Sequence, residues 1–249
     1  MKKKIFKAVL IVALIVFLIG ISPLPIIIHN YTLNYDEYVY LGGDNIVIDY
    51  KTTSDPNAAT ANNEYATIGT LTYINKNMHY GAVAHEISDS KIESGDIYIT
   101  PVESVIKSNF KKIGEKNVNV GYNRKTGNIS VINRTGVYGN YNSTTSNRKL
   151  VQLAMPSEIE CSKASIYTVV NDEKIEIYEI EIIKIYYGRK SHNLYFKITD
   201  EKLLSKTGGV IKGMSGSPIV QNGKIVGAIS HVEDKDPSYG YGLFITYMK

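Results

Sequence analysis

From Glu37 onward the chain is written in short runs in which apolar and polar side chains take turns. Residues 175 to 187, IEIYEIEIIKIYY, show it best, and residues 117 to 122, NVNVGY, have the same period of two. Successive side chains of a strand point to opposite faces of its sheet, so this period marks strands with one buried face. Similar runs recur as EYVYL, NIVIDY, TIGTLTYI, GAVAHEI, DIYITPV, NISVIN, SIYTVV, NLYFKIT, SPIVQ, KIVGAISHV and GLFITYM. Turn residues separate them. Lys125 to Asn128, Asn171 to Lys174 and Asn222-Gly223 each join two runs, and the Asn-Gly pair is the strongest hairpin signal. Only residues 101 to 110 (PVESVIKSNF) and 200 to 207 (DEKLLSKT) predict short helices, while 52 to 63 and 135 to 148 lack periodicity and predict loops. The pattern predicts an all-β fold of antiparallel strands, a barrel or a sandwich.

The first thirty residues break the pattern. Lysines 2, 3, 4 and 7 precede 21 mostly apolar residues, Ala8 to Ile28. As a helix these would span roughly 31 Å, the thickness of a bilayer core. The basic end should stay cytoplasmic and the remainder should lie on the other side. The expectation is a cell-membrane protein with one signal anchor, broken by Pro23 and Pro25 near the outer interface. A cleaved signal peptide, cut near Gly20-Ile21-Ser22, is the competing reading. The chain then divides into a cytoplasmic tip and anchor over 1 to 30, a linker with the first strands over 31 to 64, and one domain over 65 to 249, split into halves near 135 to 148.

Charge adds little once the anchor lysines are set aside. Of 28 Lys and Arg, 24 remain to face 24 Asp and Glu, so the formal charge of +4 belongs to the amino terminus. A neutral folded part argues against nucleic acid as a partner. The single cysteine, Cys161, forms no internal disulfide, and no cluster of His, Cys and acids has metal-ligand spacing. No cofactor is implied.

Chemistry is suggested by KGMSGSPIVQNG, residues 212 to 223. A serine hydroxyl is a weak nucleophile and needs a base, a group to orient that base, and backbone N–H groups to hold the developing oxyanion. Small residues around Ser215 permit the backbone angles that would turn the N–H groups of Gly213 and Ser215 toward one point. Alternatively, the stretch is a small-residue loop ahead of a hairpin. Five histidines could serve as base: His29, His79, His85, His192 and His231. His85 stands where an apolar small-residue strand, GAVA, runs into a polar turn, a placement that delivers a side chain to the mouth of a barrel.

Two blocks carry a family resemblance. TGGVIKGMSGSPIVQNGKIVGAISHV (207 to 232), followed by KDPSYGYG (235 to 242), resembles the carboxy-terminal block of the stage IV sporulation protein B peptidases. GTLTYINKNMHYGAVAHEISD (69 to 89) resembles the block around their catalytic histidine. That family consists of membrane-anchored serine endopeptidases of endospore-forming bacteria, with a peptidase domain related to the chymotrypsin-like double β-barrel. The resemblance implies Ser215 as nucleophile, His85 as general base and, fifteen residues before the serine, Asp200 as the acid that orients the imidazole. Asp89 and Asp96 are the alternatives for the acid, and the alternative for Asp200 is a helix cap ahead of EKLL. Departures are Ala84 where the family usually has glycine, Glu86 after the histidine, and only about 35 residues between Asn30 and Tyr65, too few for the PDZ domain of longer members.

The resemblance implies an enzyme that cuts a membrane-associated protein, and its own amino-terminal region, as a developmental signal in sporulation, on the non-cytoplasmic side or between the forespore and mother-cell membranes. A catalytically silent, membrane-anchored β module that binds partners is the alternative, and a surface adhesion module is a third reading.

Overall fold

The computed structural model describes residues 38–52, 63–83, 92–119 and 124–248. In chain order the strands are β1 (Tyr38–Leu41), β2 (Asn45–Thr52), β3 (Asn63–Asn75), β4 (His79–Ala82), β5 (Ile92–Ile99), β6 (Val102–Ile106), β7 (Glu115–Val118), β8 (Lys125–Asn133) and β9 (Gly136–Tyr141). Then come β10 (Leu150–Leu153), β11 (Lys163–Val169), β12 (Ile175–Ile185), β13 (Leu194–Ile198), helix α1 (Glu201–Thr207), β14 (Pro218–Gln221), β15 (Lys224–Val232) and β16 (Tyr239–Phe244).

Pairing closes two rings of six strands. The first runs β3, β2, β5, β8, β9, β4 and back to β3, and the second β14, β11, β12, β13, β16, β15 and back to β14. Each ring has its own core. Ile46, Ile48, Leu71, Ile74, Ile97 and Val137 fill the first; Ile166, Ile180, Phe196, Ile198 and Phe244 fill the second, joined by Leu203 of α1. Sealing one such side chain from water contributes about 1.5–3 kcal/mol, so period-two runs of Ile and Phe suffice to define the inward face. In β12 the alternation is realised directly: Tyr178, Ile180 and Ile182 are buried while Glu179 and Glu181 face solvent.

The rings are joined by β1, which pairs with β3 on one side and β10 on the other, and by β10, which runs parallel to β15. A third apolar cluster, including Val39, Val83, Val151, Ile225 and Leu243, packs between them. Outside both rings, β6 and β7 form a separate antiparallel ribbon.

Four local expectations are corrected. Residues 101 to 110 are no helix: the Val102, Val105 and Ile106 spacing fits a helical face, but pairing of β6 with β7 overrides it. Within 135 to 148, Gly136–Tyr141 is β9, paired with β4 and β8, because its partners lie elsewhere in the chain. Lys125 to Asn128 lies inside β8, where Gly127 serves close packing, since a Cβ there would meet the Asn140 oxygen at 2.5 Å. In NVNVGY, β7 ends at Val118 and Asn119 already lies beyond it, while residues 120 to 122 are outside the described ones. The anchor lies outside the described residues, and no described helix is long and apolar enough to cross a membrane.

Candidate active site

The Ser215 turn sits between the two rings. It follows residues 208 to 212 and leads into β14, and its two glycines take left-handed angles, φ +91° at Gly213 and +90° at Gly216. A Cβ on Gly216 would lie 2.0 Å from the Thr70 carbonyl oxygen, so no other residue fits there.

Strand β3 of the first ring clamps the turn. The Thr70 N–H donates to the Ser215 carbonyl at 2.7 Å, the Thr70 hydroxyl to the Gly213 carbonyl at 2.8 Å, and the Thr72 hydroxyl to the Gly216 carbonyl at 2.7 Å. From the second ring, Ile229 of β15 accepts from the Gly216 N–H at 2.8 Å and donates to the Ser217 carbonyl at 2.9 Å. Inside the turn, the Ser217 N–H donates to the Met214 carbonyl and the Met214 N–H to the Ile211 carbonyl. Both threonines are fully buried, so every one of these bonds is shielded from competing water.

Among the described residues, the N–H groups of Gly213 and Ser215 have no acceptor, and the Ser215 hydroxyl has no hydrogen-bond partner. A buried backbone donor without an acceptor is rare in folded proteins. Two on one turn, beside a serine only 5% exposed, form a place prepared for an oxygen that no described residue supplies.

Strand β4 leads toward the same turn. Val83, the last described residue after it, is buried, and its N lies 3.1 Å from the position of a Cβ on Gly216. His85 and Asp89 lie outside the described residues. Of the other histidines, His79 is exposed at the start of β4, and His192 and His231 stack on each other with ring centres 4.1 Å apart, His192 also meeting Tyr241 edge-on. His29 is outside the described residues.

Asp200 caps α1. Its Oδ1 accepts the Leu203 N–H at 2.9 Å and its Oδ2 the Glu179 N–H at 3.3 Å, while Gly208 ends the helix at φ +70°. Asp96 faces Asp49 across the β2–β5 pair and forms an ion pair with Lys125 at 2.8 Å. Among the described residues no group of three or more His, Cys, Asp or Glu could hold a metal ion.

Thr70 and Thr72, which clamp the turn, are missing from the sequence-based candidates. Threonines in a β-rich sequence read as ordinary strand residues, and only the tertiary structure brings them to the turn.

No curated protein sequence matches the chain. The fold is similar to that of the Rv3671c protease from M. tuberculosis in its active form, with a TM-score of 0.45 and 12% identity over 82% of this chain and 77% of that one. For the inactive form of Rv3671c protease the values are 0.43 and 13% over 81% and 84%. The SpoIVB peptidase S55 family model matches residues 60–249, which takes in the second ring, every strand of the first ring except β2, and the Ser215 turn. The chain therefore belongs to the SpoIVB peptidase S55 family and is a serine endopeptidase.

Proposed function

We propose that Ser215 is the nucleophile of this endopeptidase and His85 its general base, with the N–H groups of Gly213 and Ser215 as the oxyanion hole. The observation that carries this reading is the pair of unpartnered donors on the rigid turn that holds Ser215. Such a turn needs no reorganisation when charge develops, and one oxyanion donor lowers the barrier by about 2.7–4 kcal/mol. In the proposed cycle His85 takes the Ser215 proton as Oγ attacks the scissile carbonyl, then returns it to the leaving amine. Water next attacks the acyl-enzyme as His85 takes its proton, the bond between Ser215 Oγ and the acyl carbon breaks, His85 returns the proton to Oγ, and the carboxylate product leaves.

Asp200 is the proposed orienting acid, on the resemblance given above. A second reading, as a cap alone, is favoured by the backbone N–H bond that each of its oxygens already accepts. Each oxygen retains a further lone pair, so capping does not by itself exhaust the carboxylate. Asp200→Asn separates the two: the amide oxygen still caps Leu203 although the Glu179 N–H loses its acceptor, so a fall in kcat approaching ~10⁴-fold in a variant of verified fold marks the acid, and near-normal kcat marks the cap.

The proposed substrate is a membrane-associated protein, with cleavage of the chain's own amino-terminal region as a second event, in sporulation signalling on the non-cytoplasmic side of a membrane. Anchoring by residues 1 to 30 supports this, because a tethered enzyme meets substrates in its own membrane at raised effective concentration. The test is digestion of candidate membrane proteins by the wild type and by Ser215→Ala. Cleavage by the first and not the second supports the reading. Equal processing by both assigns the cut to another protease, and binding without cleavage favours the silent module.

A further inference from the structure

Lys116 is the one charged side chain among the described residues that is fully buried, at 1% exposure. It lies on β7, in the ribbon outside both rings, and its ammonium donates to Asn45 Oδ1 at 3.3 Å, Thr70 Oγ1 at 3.4 Å and Thr168 Oγ1 at 3.3 Å. Three donors thus meet three neutral oxygens, two from the first ring and one from the second. Among the described residues no carboxylate joins them. On β2, β3 and β11 the groups facing the ammonium are Asn45, Thr70 and Thr168, and the turn contributes only Gly213. The ionisable residues nearby in the chain are Glu115 beside it, Lys212 bridged to Glu115, and Asp44, next to Asn45 and paired with Arg148. Burial alone pushes the Lys116 ammonium down to about 7.

The rest of the residue is fastened to the segment that enters the Ser215 turn. The Lys116 N–H donates to the Lys212 carbonyl at 3.2 Å, and the Lys212 N–H to the Gly114 carbonyl at 2.8 Å. The Lys116 stem covers Gly213: a Cβ there would lie 3.0 Å from Lys116 Cδ and 3.3 Å from Cγ. Because a trans peptide holds C=O and N–H in opposite directions, fixing the Lys212 carbonyl fixes the Gly213 N–H. The ammonium reaches the next peptide through Thr70, whose hydroxyl donates to the Gly213 carbonyl.

We infer that Lys116 is a positioning residue for the Ser215 turn: its main-chain N–H holds the Lys212–Gly213 peptide, which aims the Gly213 N–H at the oxyanion, while its stem packs on Gly213 and its ammonium, through Thr70, holds the following Gly213–Met214 peptide. This rests on the endopeptidase reading of that turn. A filler of the same length would be better as methionine, since an uncompensated buried charge costs stability that a thioether does not. What the ammonium adds is three donors.

Stability and turn order then respond to pH with opposite signs. The folded chain releases the Lys116 proton near pH 7 and the unfolded chain near 10.5. Between these values the unfolded state holds more protons, so this group makes the fold more stable as pH rises from 7 and imposes its full cost below 7. Loss of the proton leaves the amine two donors for three acceptors, which loosens the hold on Thr70.

The experiment uses the full-length chain, wild type and Lys116→Met, from pH 6 to 8, with urea unfolding, peptide hydrolysis and hydrogen exchange of segments covering Met214 to Ser217. For the wild type, protection of these amides, corrected for intrinsic exchange, should fall several-fold over this range while resistance to urea rises. Lys116→Met should show low protection at every pH, unfold at no lower urea concentration than the wild type at pH 6, and lose about tenfold in kcat with KM within twofold. Wild-type protection that is flat with pH overturns the role of the ammonium. So does a variant with native protection and kcat, and a variant whose activity falls only in step with its stability shows a structural lysine. Should the wild type hydrolyse no peptide, the endopeptidase reading of the turn fails, and exchange still decides whether Lys116 orders it.

Discussion

Two turns flank β14, and they are built on opposite principles. At one end of the strand, Asn222 and Gly223 take φ +51° and +79° on the surface, and a Cβ on Gly223 would meet nothing within 4 Å. Their own preference for left-handed angles makes the hairpin, as in any two-residue turn of this type. At the other end, Gly213 and Gly216 take left-handed angles for the sake of distant residues: Thr70, Thr72, Lys116 and Ile229. A local turn tolerates change around it. A turn that presents a nucleophile is over-determined from both sides, which is how a strained backbone persists at a functional site.

Gly216→Ala should break the comparison most severely. A methyl group 2.0 Å from the Thr70 oxygen, at a left-handed φ, should cost about 3 kcal/mol or more and remove activity, read by urea unfolding and peptide hydrolysis. Next comes Thr70→Val, which keeps the volume but leaves the Gly213 carbonyl and one Lys116 donor unpaired. It should lower stability by about 1–3 kcal/mol and kcat on the order of ten- to a hundredfold. Asp200→Ala should cost about 1 kcal/mol through the lost cap of α1, read as a shift in the urea midpoint with no change in its slope. Smallest is Gly223→Ala, about 1 kcal/mol or less with kcat unchanged, because its strain is local and its surroundings are open. If Gly223→Ala proved as damaging to kcat as Thr70→Val, the contrast between the two turns would be wrong.

The same contrast explains what was legible in the sequence. Most strands of the two rings announce themselves because burial on one face imposes a period of two. Asn222-Gly223 and the Asp200 to Gly208 helix announce themselves because their caps and angles are chosen by adjacent residues. Residues 101 to 110 mislead, since Val102, Val105 and Ile106 satisfy a helical spacing while their real partners lie on β7. β9 is hidden among Gly, Asn and Tyr, and only β4 and β8 make it a strand. Ser215 stands out through its flanking glycines, but nothing near it in the chain points to Thr70 or Lys116, which are 145 and 99 residues away.

The account turns on Ser215 being an activated nucleophile in a prepared turn, and its most direct test is labelling of the full-length chain by a fluorophosphonate probe, with the modified residue identified by mass spectrometry. Stoichiometric modification at Ser215 in the wild type is predicted, with none in Ser215→Ala and labelling at least ~10³-fold slower in His85→Ala of native fold. A folded wild type that takes up no probe, or takes it up on another residue, would contradict the account.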